Sequence, residues 1–165
     1  MGCLVGRHNG GLIKSWLDLA KRCVGEITSF RQRFSPTSTA DLAGAIFAIS
    51  RQVDCDANAW GTYHYASLET KRESEFGRQT LDYAANHDEG IYQLIDSIKL
   101  VESPVRLPEL LNSTLSSKKI FDTFGIKPRS WHVHLRETIK SLYGGRLREV
   151  QEESEDDASV SFVGS

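Results

Sequence analysis

Short apolar segments alternate with segments of helical periodicity along this 165-residue chain, and this alternation constrains the fold most strongly. Cys3–Val5 and Glu26–Phe30 have the composition of strands, and apolar residues recur at helical spacing over residues 11–23 between them. Strands separated by helices favour parallel pairing and an α/β fold. Only three or four short strands are indicated, and the first begins at Cys3, so the pattern resembles the second half of a larger fold.

Capping residues and turns indicate where the remaining helices begin and end. Ser38 and Asp41 are expected to cap one helix, and Thr70 and Glu73 have the spacing of a capping box for the next. The first of these helices should bury a stripe made of Leu42, Ala45, Ile46, Ile49 and Val53. The pattern further predicts strands at Gly61–Ala66 and Ile98–Val101, a helix at Ser117–Phe124 closed by Gly125, and a last helix from Ser130 to Leu142.

Composition and charge exclude several classes of protein. No apolar run approaches the roughly 18–20 residues of a membrane-spanning helix, so we expect no membrane partner. The last 20 residues hold six acidic side chains and two arginines, which leaves 18 basic and 16 acidic residues in the body. This balance does not suit duplex nucleic acid. We expect one domain over residues 1–145 and a disordered acidic tail over residues 146–165.

No catalytic residue, bound cofactor or metal ligand is predicted from the residues themselves. The turn Gly6–Gly11 lacks the GxGxxG spacing, and no tyrosine is followed four positions later by lysine, as a YxxxK proton relay requires. His132 and His134 should lie on different sides of a solvated helix. We expect His8 to be incidental in its turn and His64 to be packed within a strand. The three cysteines should be small buried thiols, reduced in a cytoplasmic protein.

One loop carries a candidate binding site. Phe30–Thr37 contains two arginines and a glutamine, and it joins a predicted strand to a capped helix. It should therefore lie at the carboxyl end of the sheet, where α/β folds bind ligands. Guanidinium groups and an amide beside a helix N-terminus suit a diphosphate or a nucleotide. The alternative is a solvated basic turn in which Thr37 or Ser38 serves only as a helix cap.

Five segments occur in an order that is typical of one family. Leu4–His8 is similar to a strand that follows a catalytic YxxxK helix, and Gln32–Ala43 looks like D-Q-x-G-x-P-T-x-x-x-D-L-A. Gly61–Ala66 resembles G-x-Y-H, Glu75-Phe76 resembles the start of E-F-A-x-x-I, and Asn112–Ile120 resembles N-S-x-L-D-x-S-K-L. Over about residues 3–143 the set resembles the dTDP-4-dehydrorhamnose reductases, which are extended short-chain dehydrogenase/reductases. The sequence departs from that pattern at Arg31, Phe34, Ser116 and Cys3, which stand for an aspartate, a glycine, an aspartate and an aromatic residue.

The resemblance implies an incomplete NAD(P)-binding Rossmann-type fold. This chain would form its C-terminal portion, including a helical substrate lobe. A complete member would use NADPH to reduce the 4-keto group of a dTDP-linked deoxyhexose. We expect no cofactor and no turnover on this chain alone, and read it as a fragment, a split half or a degenerate relative. The expected ligand is a dTDP-sugar or related nucleotide, with contacts from Gln32, Arg33 and Asn112 and from the backbone of Thr37 at the start of a helix.

The sequence leaves open whether the chain is a non-catalytic subunit and whether it associates with other chains. The regulatory subunit of methionine adenosyltransferase also looks like this family, so a non-catalytic regulatory or interaction subunit is the second interpretation. Cys3–Val5 has no pairing partner upstream within the sequence, which predicts an exposed edge and association with a partner chain or with further copies. Alternatively, Trp16, Leu17 and Trp131 cover this strand and leave a monomer.

Overall fold

The computed structural model describes residues 3–6, 11–23, 25–55, 58–103 and 112–144, and the predicted acidic tail lies outside these ranges. The described residues form the α/β arrangement that the sequence predicts. Its strands are β1 (Cys3–Val5), β2 (Glu26–Phe30), β3 (Arg33–Phe34), β4 (Pro36–Ser38), β5 (Lys71–Arg72) and β6 (Lys99–Ser103). Its helices are α1 (Leu12–Arg22), α2 (Thr39–Asp54), α3 (Glu73–Ala84), α4 (Glu89–Leu94), α5 (Lys118–Phe124) and α6 (131–144). None of these helices is both long enough and apolar enough to cross a membrane.

The described strands pair in three two-stranded sheets. β1 runs parallel to β4, and β2 runs parallel to β6 over five residues, which confirms the predicted parallel pairing. The prediction of a loop over Phe30–Thr37 is wrong in part, because β3 and the start of β4 lie within it. β3 and β5 are two residues each and pair antiparallel, which the sequence pattern does not indicate. Among the described residues no strand pairs with the second edge of β1, and Leu4 in it is 49% exposed. Association through this edge stays a prediction.

Two local predictions about helix α2 and the segment after it are wrong. Ala45 is buried in the expected stripe, but Ile46 is 56% exposed, because α2 buries only a narrow face that includes Asp41. Residues 61–66 form no strand. Side chains hold this segment instead: the Lys119 ammonium donates to the carbonyl of Thr62, and the Ser117 hydroxyl accepts from the backbone N–H of Ala66.

The capping box of α3 is displaced by two residues from its predicted place. The N-cap is Arg72 rather than Thr70, and the Glu75 carboxylate accepts a hydrogen bond from its backbone N–H. The Ser38 cap of α2 and the Gly125 end of α5 agree with the prediction. Asp41 does not act as a cap, since its carboxylate accepts from the Tyr65 hydroxyl. Ser38 accepts from two backbone N–H groups at the start of α2, and Gly125 closes α5 with φ of 68°, in the left-handed region that favours glycine.

The core lies where α1, α3 and α6 pack on β2 and β3. Phe76 is fully buried at its centre, with ring centroids 5.6 Å from Phe34 and 5.2 Å from Trp131. Burying a side chain of this size contributes roughly 1.5–3 kcal/mol. The predicted faces of α1 and α6 are confirmed by buried Ile13, Trp16, Leu17, Ala20, Trp131, Leu135 and Ile139. This packing holds the start of α3 beside the ends of β2 and β3.

Candidate functional site

A cavity of about 480 Å³ opens where β2 and β6 end and α3 begins, and it is lined by Arg31, Arg33, Arg72 and Glu102. β2 and β6 end side by side, with Phe30 opposite Ser103, and the backbone N–H of Arg31 donates to the Ser103 carbonyl at 3.1 Å. The cavity therefore lies at the carboxyl ends of two parallel strands, where the sequence places the candidate loop.

Backbone hydrogen bonds fix the loop against the first residue of α3. The Glu73 carboxylate accepts from the backbone N–H of Phe30 at 2.9 Å, and the Glu73 N–H donates to the carbonyl of Gln32 at 3.1 Å. The Gln32 N–H in turn donates to the Phe30 carbonyl at 2.7 Å, which makes the turn tight. Burial raises the pKa of Glu73, and the N–H of Phe30 opposes that shift. These contacts, two between backbone groups and one to the Glu73 carboxylate, hold the backbone of the loop that carries the two arginines.

Pairing of β3 with β5 places Arg33 directly opposite Arg72. Directly opposed residues of an antiparallel pair project from the same face with Cβ atoms about 5 Å apart, and like charges in that position repel. In the described part of the chain Arg33 forms no ion pair with an acidic side chain. The pair of guanidinium groups is therefore an arrangement that an anion would stabilise.

Glu102 is the acidic residue of the cavity. Its Oε1 accepts from the Ser74 hydroxyl at 2.8 Å, and its Oε2 lies 3.7 Å from Nε of Arg31 and 3.6 Å from Nη1 of Arg72. The hydrogen bond from Ser74, and then the charges of Arg72 and Arg31, lower the pKa of Glu102. Its carboxylate is ionised at neutral pH, so the four lining side chains carry a net charge of +2.

Of the four residues predicted to contact substrate, the structure brings three together. Arg33 lines the cavity, Gln32 is half-buried in the loop beside it, and Asn112 forms a parallel backbone bridge with Arg33. Thr37 lies apart, 1% exposed in β4. Its hydroxyl donates to the Ser35 carbonyl and accepts from the N–H of Ser67, and the N-cap of α2 is Ser38.

Arg72 and Glu102 belong to the cavity and were not predicted. Lys71 and Arg72 are consecutive basic residues directly before a helix, which could have indicated an anion contact. Glu102 follows the predicted strand Ile98–Val101 by one residue, at the carboxyl end where ligand-contacting side chains are expected.

A second cavity of about 530 Å³ lies at the start of α2, with His134 and Glu137 of α6 in its lining. Beneath it Asp41, with 6% of its side chain exposed, accepts from the Tyr65 hydroxyl at 3.0 Å and lies 3.5 Å from Arg129 Nε and from His134 Nε2. Burial and the bond to Asp41 raise the pKa of Tyr65 to about 12.

The histidines and cysteines differ from expectation in several places. His134 is not a solvated surface residue, since 18% of its side chain is exposed and it contacts Asp41. His64 is exposed in the irregular segment instead of packed in a strand, and His8 lies outside the described residues. Cys55 is exposed rather than buried, while burial and then the charge of Glu73 raise the pKa of the Cys3 thiol. Within the described ranges, no group of three or more His, Cys, Asp or Glu could hold a metal ion.

Two comparisons of the sequence with known proteins give one family match. The sequence model of the RmlD substrate binding domain family matches residues 1–143. The comparison with curated proteins finds no match.

Three solved structures illustrate the similarity of fold. A dTDP-4-dehydrorhamnose reductase from Clostridium acetobutylicum has a TM-score of 0.67 at 22% identity, over 86% of this chain and 46% of its own. One from Bacillus anthracis, in complex with NADP, has a TM-score of 0.58 at 21% identity, over 84% and 46%. RMD from Pseudomonas aeruginosa, complexed with NADPH, has a TM-score of 0.58 at 16% identity, over 87% and 46%. This chain spans less than half the length of these structures, and the likeness concerns the fold.

Proposed function

The chain belongs to the RmlD substrate binding domain family, and from this premise we propose that the cavity at the start of α3 binds the diphosphate of a dTDP-sugar. The observation that carries the proposal is the opposition of Arg33 and Arg72 across β3 and β5, with Arg31 on the same cavity. The volume of about 480 Å³ falls within the range of roughly 300–1,000 Å³ that small-molecule sites occupy.

Guanidinium groups suit a diphosphate for two reasons. Their planar forks donate paired hydrogen bonds to phosphate oxygens, and each charge-assisted bond contributes about 1.5–3 kcal/mol. A bound diphosphate would also relieve the repulsion between Arg33 and Arg72. Asn112 lies beside Arg33 and is exposed, so its amide is placed to contact the sugar or the base. Gln32 would contribute mainly by holding the loop, through its carbonyl and its N–H.

In a complete enzyme of this type the proposed reaction is reduction of a dTDP-4-keto-6-deoxyhexose by NADPH. The cofactor would supply a hydride to the carbonyl carbon of the sugar. The described residues would bind the nucleotide end of the substrate and orient it. Neither the GxGxxG motif nor the YxxxK pair occurs in the 165 residues, so in this proposal the hydride and proton donors are contributed from outside this sequence.

Titration of the full chain with dTDP-glucose, followed by calorimetry and by amide shifts, tests the binding proposal. Arg33→Ala and Arg72→Ala should each weaken binding about 10- to 100-fold, since each removes charge-assisted bonds to phosphate. Arg78→Ala is the matched control, because Arg78 lies on α3 but contacts Asp82 and the Ile95 carbonyl. Shifts should centre on residues 30–34 and 71–73. No binding at millimolar ligand, or equal weakening by Arg78→Ala, would contradict the proposal.

A further inference from the structure

The Glu102 carboxylate is fixed in the arginine cavity in a geometry that differs from a direct, hydrogen-bonded ion pair. Its Oε1 is fixed by the Ser74 hydroxyl at 2.8 Å, and only Oε2 faces the guanidinium groups. The distances of 3.7 Å to Arg31 and 3.6 Å to Arg72 are longer than the roughly 2.7–2.9 Å of a direct charge-assisted bond. Both arginines are therefore attracted by the carboxylate while their N–H groups can still bind a ligand in the cavity.

The register of the sheet fixes this carboxylate in place. Glu102 pairs with Ser29 in the parallel ladder of β2 and β6, one step before both strands end at the cavity. With 23% of its side chain exposed, Glu102 sits in the wall of the cavity rather than free in solvent. An incoming anion would contact the three arginines and would also approach a fixed negative charge.

The charges in the cavity match one class of nucleotide. Three guanidinium groups and one carboxylate give +2. The diphosphate of a nucleotide sugar is esterified at both ends and carries about −2, one charge on each phosphate. A free nucleoside diphosphate ends in a phosphate monoester whose second ionisation lies near pH 6, so at neutral and higher pH it carries about −3. A nucleotide sugar neutralises the site, whereas a free nucleoside diphosphate brings an additional charge beside Glu102.

We infer that Glu102 determines charge specificity, favouring nucleotide sugars over free nucleoside diphosphates. This inference rests on the proposed function, because it assumes that the arginine cavity binds the diphosphate. It gives the site a means of rejecting the free nucleotide, which shares the base, the ribose and both phosphates with the sugar nucleotide. A carboxylate that serves only to keep the arginines apart would affect both ligands alike.

The test compares the Kd of dTDP-glucose with that of dTDP for the full chain, at a pH above the second ionisation of the terminal phosphate. For Glu102→Gln, the affinity for dTDP relative to dTDP-glucose should rise at least fivefold over the unmodified protein. Glu102→Asp, which keeps the charge, should leave that ratio within twofold. Asp82→Asn is the matched control, since it removes one negative charge from the far part of α3, where Asp82 pairs with Arg78. It should also leave the ratio unchanged.

The outcomes separate the two proposals. If the unmodified chain binds neither nucleotide, the proposed function fails, and this inference fails with it. If both nucleotides bind but Glu102→Gln leaves their ratio unchanged, only the role of Glu102 is refuted. If Asp82→Asn changes the ratio of the two affinities as much as Glu102→Gln does, the role of Glu102 is also refuted, because the effect would then come from the total charge of the protein. Circular dichroism of each variant checks that the fold is retained. If Glu102→Gln unfolds, the unmodified protein still tests the inference, because its preference for dTDP-glucose over dTDP should narrow below the second ionisation of the terminal phosphate, near pH 6. A preference that does not change with pH would refute the role of Glu102.

Discussion

Replacing Gly77 with alanine should weaken the packing of α3 against α1. Gly77 is buried in α3, and a Cβ there would lie 2.5 Å from three atoms of the Trp16 indole ring. Trp16 is 2% exposed within the core, so the ring cannot turn into solvent. Either the ring or the helix must move by about 1 Å to restore an ordinary carbon–carbon contact of roughly 3.5 Å.

Two effects of opposite sign determine how much Gly77→Ala changes the free energy of unfolding. Alanine favours a helix over glycine by about 1 kcal/mol, and overpacking a core costs about 1–3 kcal/mol. Three ring atoms of Trp16 are too close at once, and a Cβ fixed to the backbone cannot rotate away. The steric cost therefore lies at the upper end of its range. We expect a free energy of unfolding lower by about 2 kcal/mol, and a Tm lower by about 4–8 °C.

Urea and thermal unfolding followed by far-UV circular dichroism measure this difference. Gly44→Ala in α2 is the matched control, because no atom lies within 4 Å of a Cβ built there. It should gain up to about 1 kcal/mol of stability from helix propensity alone. Combining Gly77→Ala with Trp16→Phe should cost less than the sum of the two single changes, since the smaller ring leaves room. A Gly77→Ala protein as stable as the unmodified one would refute the packing argument.

Two further predictions concern capping and pH. Ser38→Ala should lower the free energy of unfolding by about 1 kcal/mol, seen in the urea midpoint, because the Ser38 hydroxyl accepts from two backbone N–H groups at the start of α2. Burial alone would raise the pKa of Asp88, but hydrogen bonds from Lys21 and Tyr143 outweigh it and the pKa is lowered. The ionised carboxylate therefore stabilises the fold at neutral pH, and this contribution disappears as pH falls through the lowered pKa. As the pH is lowered, the free energy of unfolding should decrease less for Asp88→Asn than for the unmodified protein, which urea unfolding at a series of pH values measures.

The long helices could be predicted because each carries several turns of periodic apolar residues. In α1 the four residues Ile13, Trp16, Leu17 and Ala20 recur on one face, and all four are buried. β3 and β5 could not be predicted, since two residues define no period. They pair only because α3 is held against the preceding loop by contacts that are distant in sequence. The segment at residues 61–66 shows the converse, since its Thr/Tyr-rich composition is typical of a strand although it forms none and is bonded to side chains of Ser117 and Lys119.

The candidate site could be predicted only in part, because some of its residues come together through strand pairings between distant parts of the chain. Arg31 and Arg33 follow a recognisable strand, and the rule that ligands bind at the carboxyl ends of parallel strands locates them. Arg72 and Glu102 lie about 40 and 70 residues farther along the chain, and they reach the cavity only through the β3–β5 and β2–β6 pairings. Thr37 shows the limit of motif transfer, because its position in the family pattern does not reveal that its backbone lies in the β1–β4 ladder, one residue before the N-cap of α2.

Phe34 shows how the loop can depart from the family pattern and still keep Arg33 at the cavity. The sequence has Phe34 where the family pattern has glycine, next to the arginines of the candidate loop. Adjacent residues of a strand project to opposite faces, so the step from Arg33 to Phe34 passes from the cavity to the core. Phe34 is 2% exposed and meets the ring of Phe76 edge to face. Its packing anchors β3, and β3 in turn holds Arg33 opposite Arg72. The departure at Phe34 thus changes the core behind the cavity, while Arg33 on the opposite face of β3 lines the cavity.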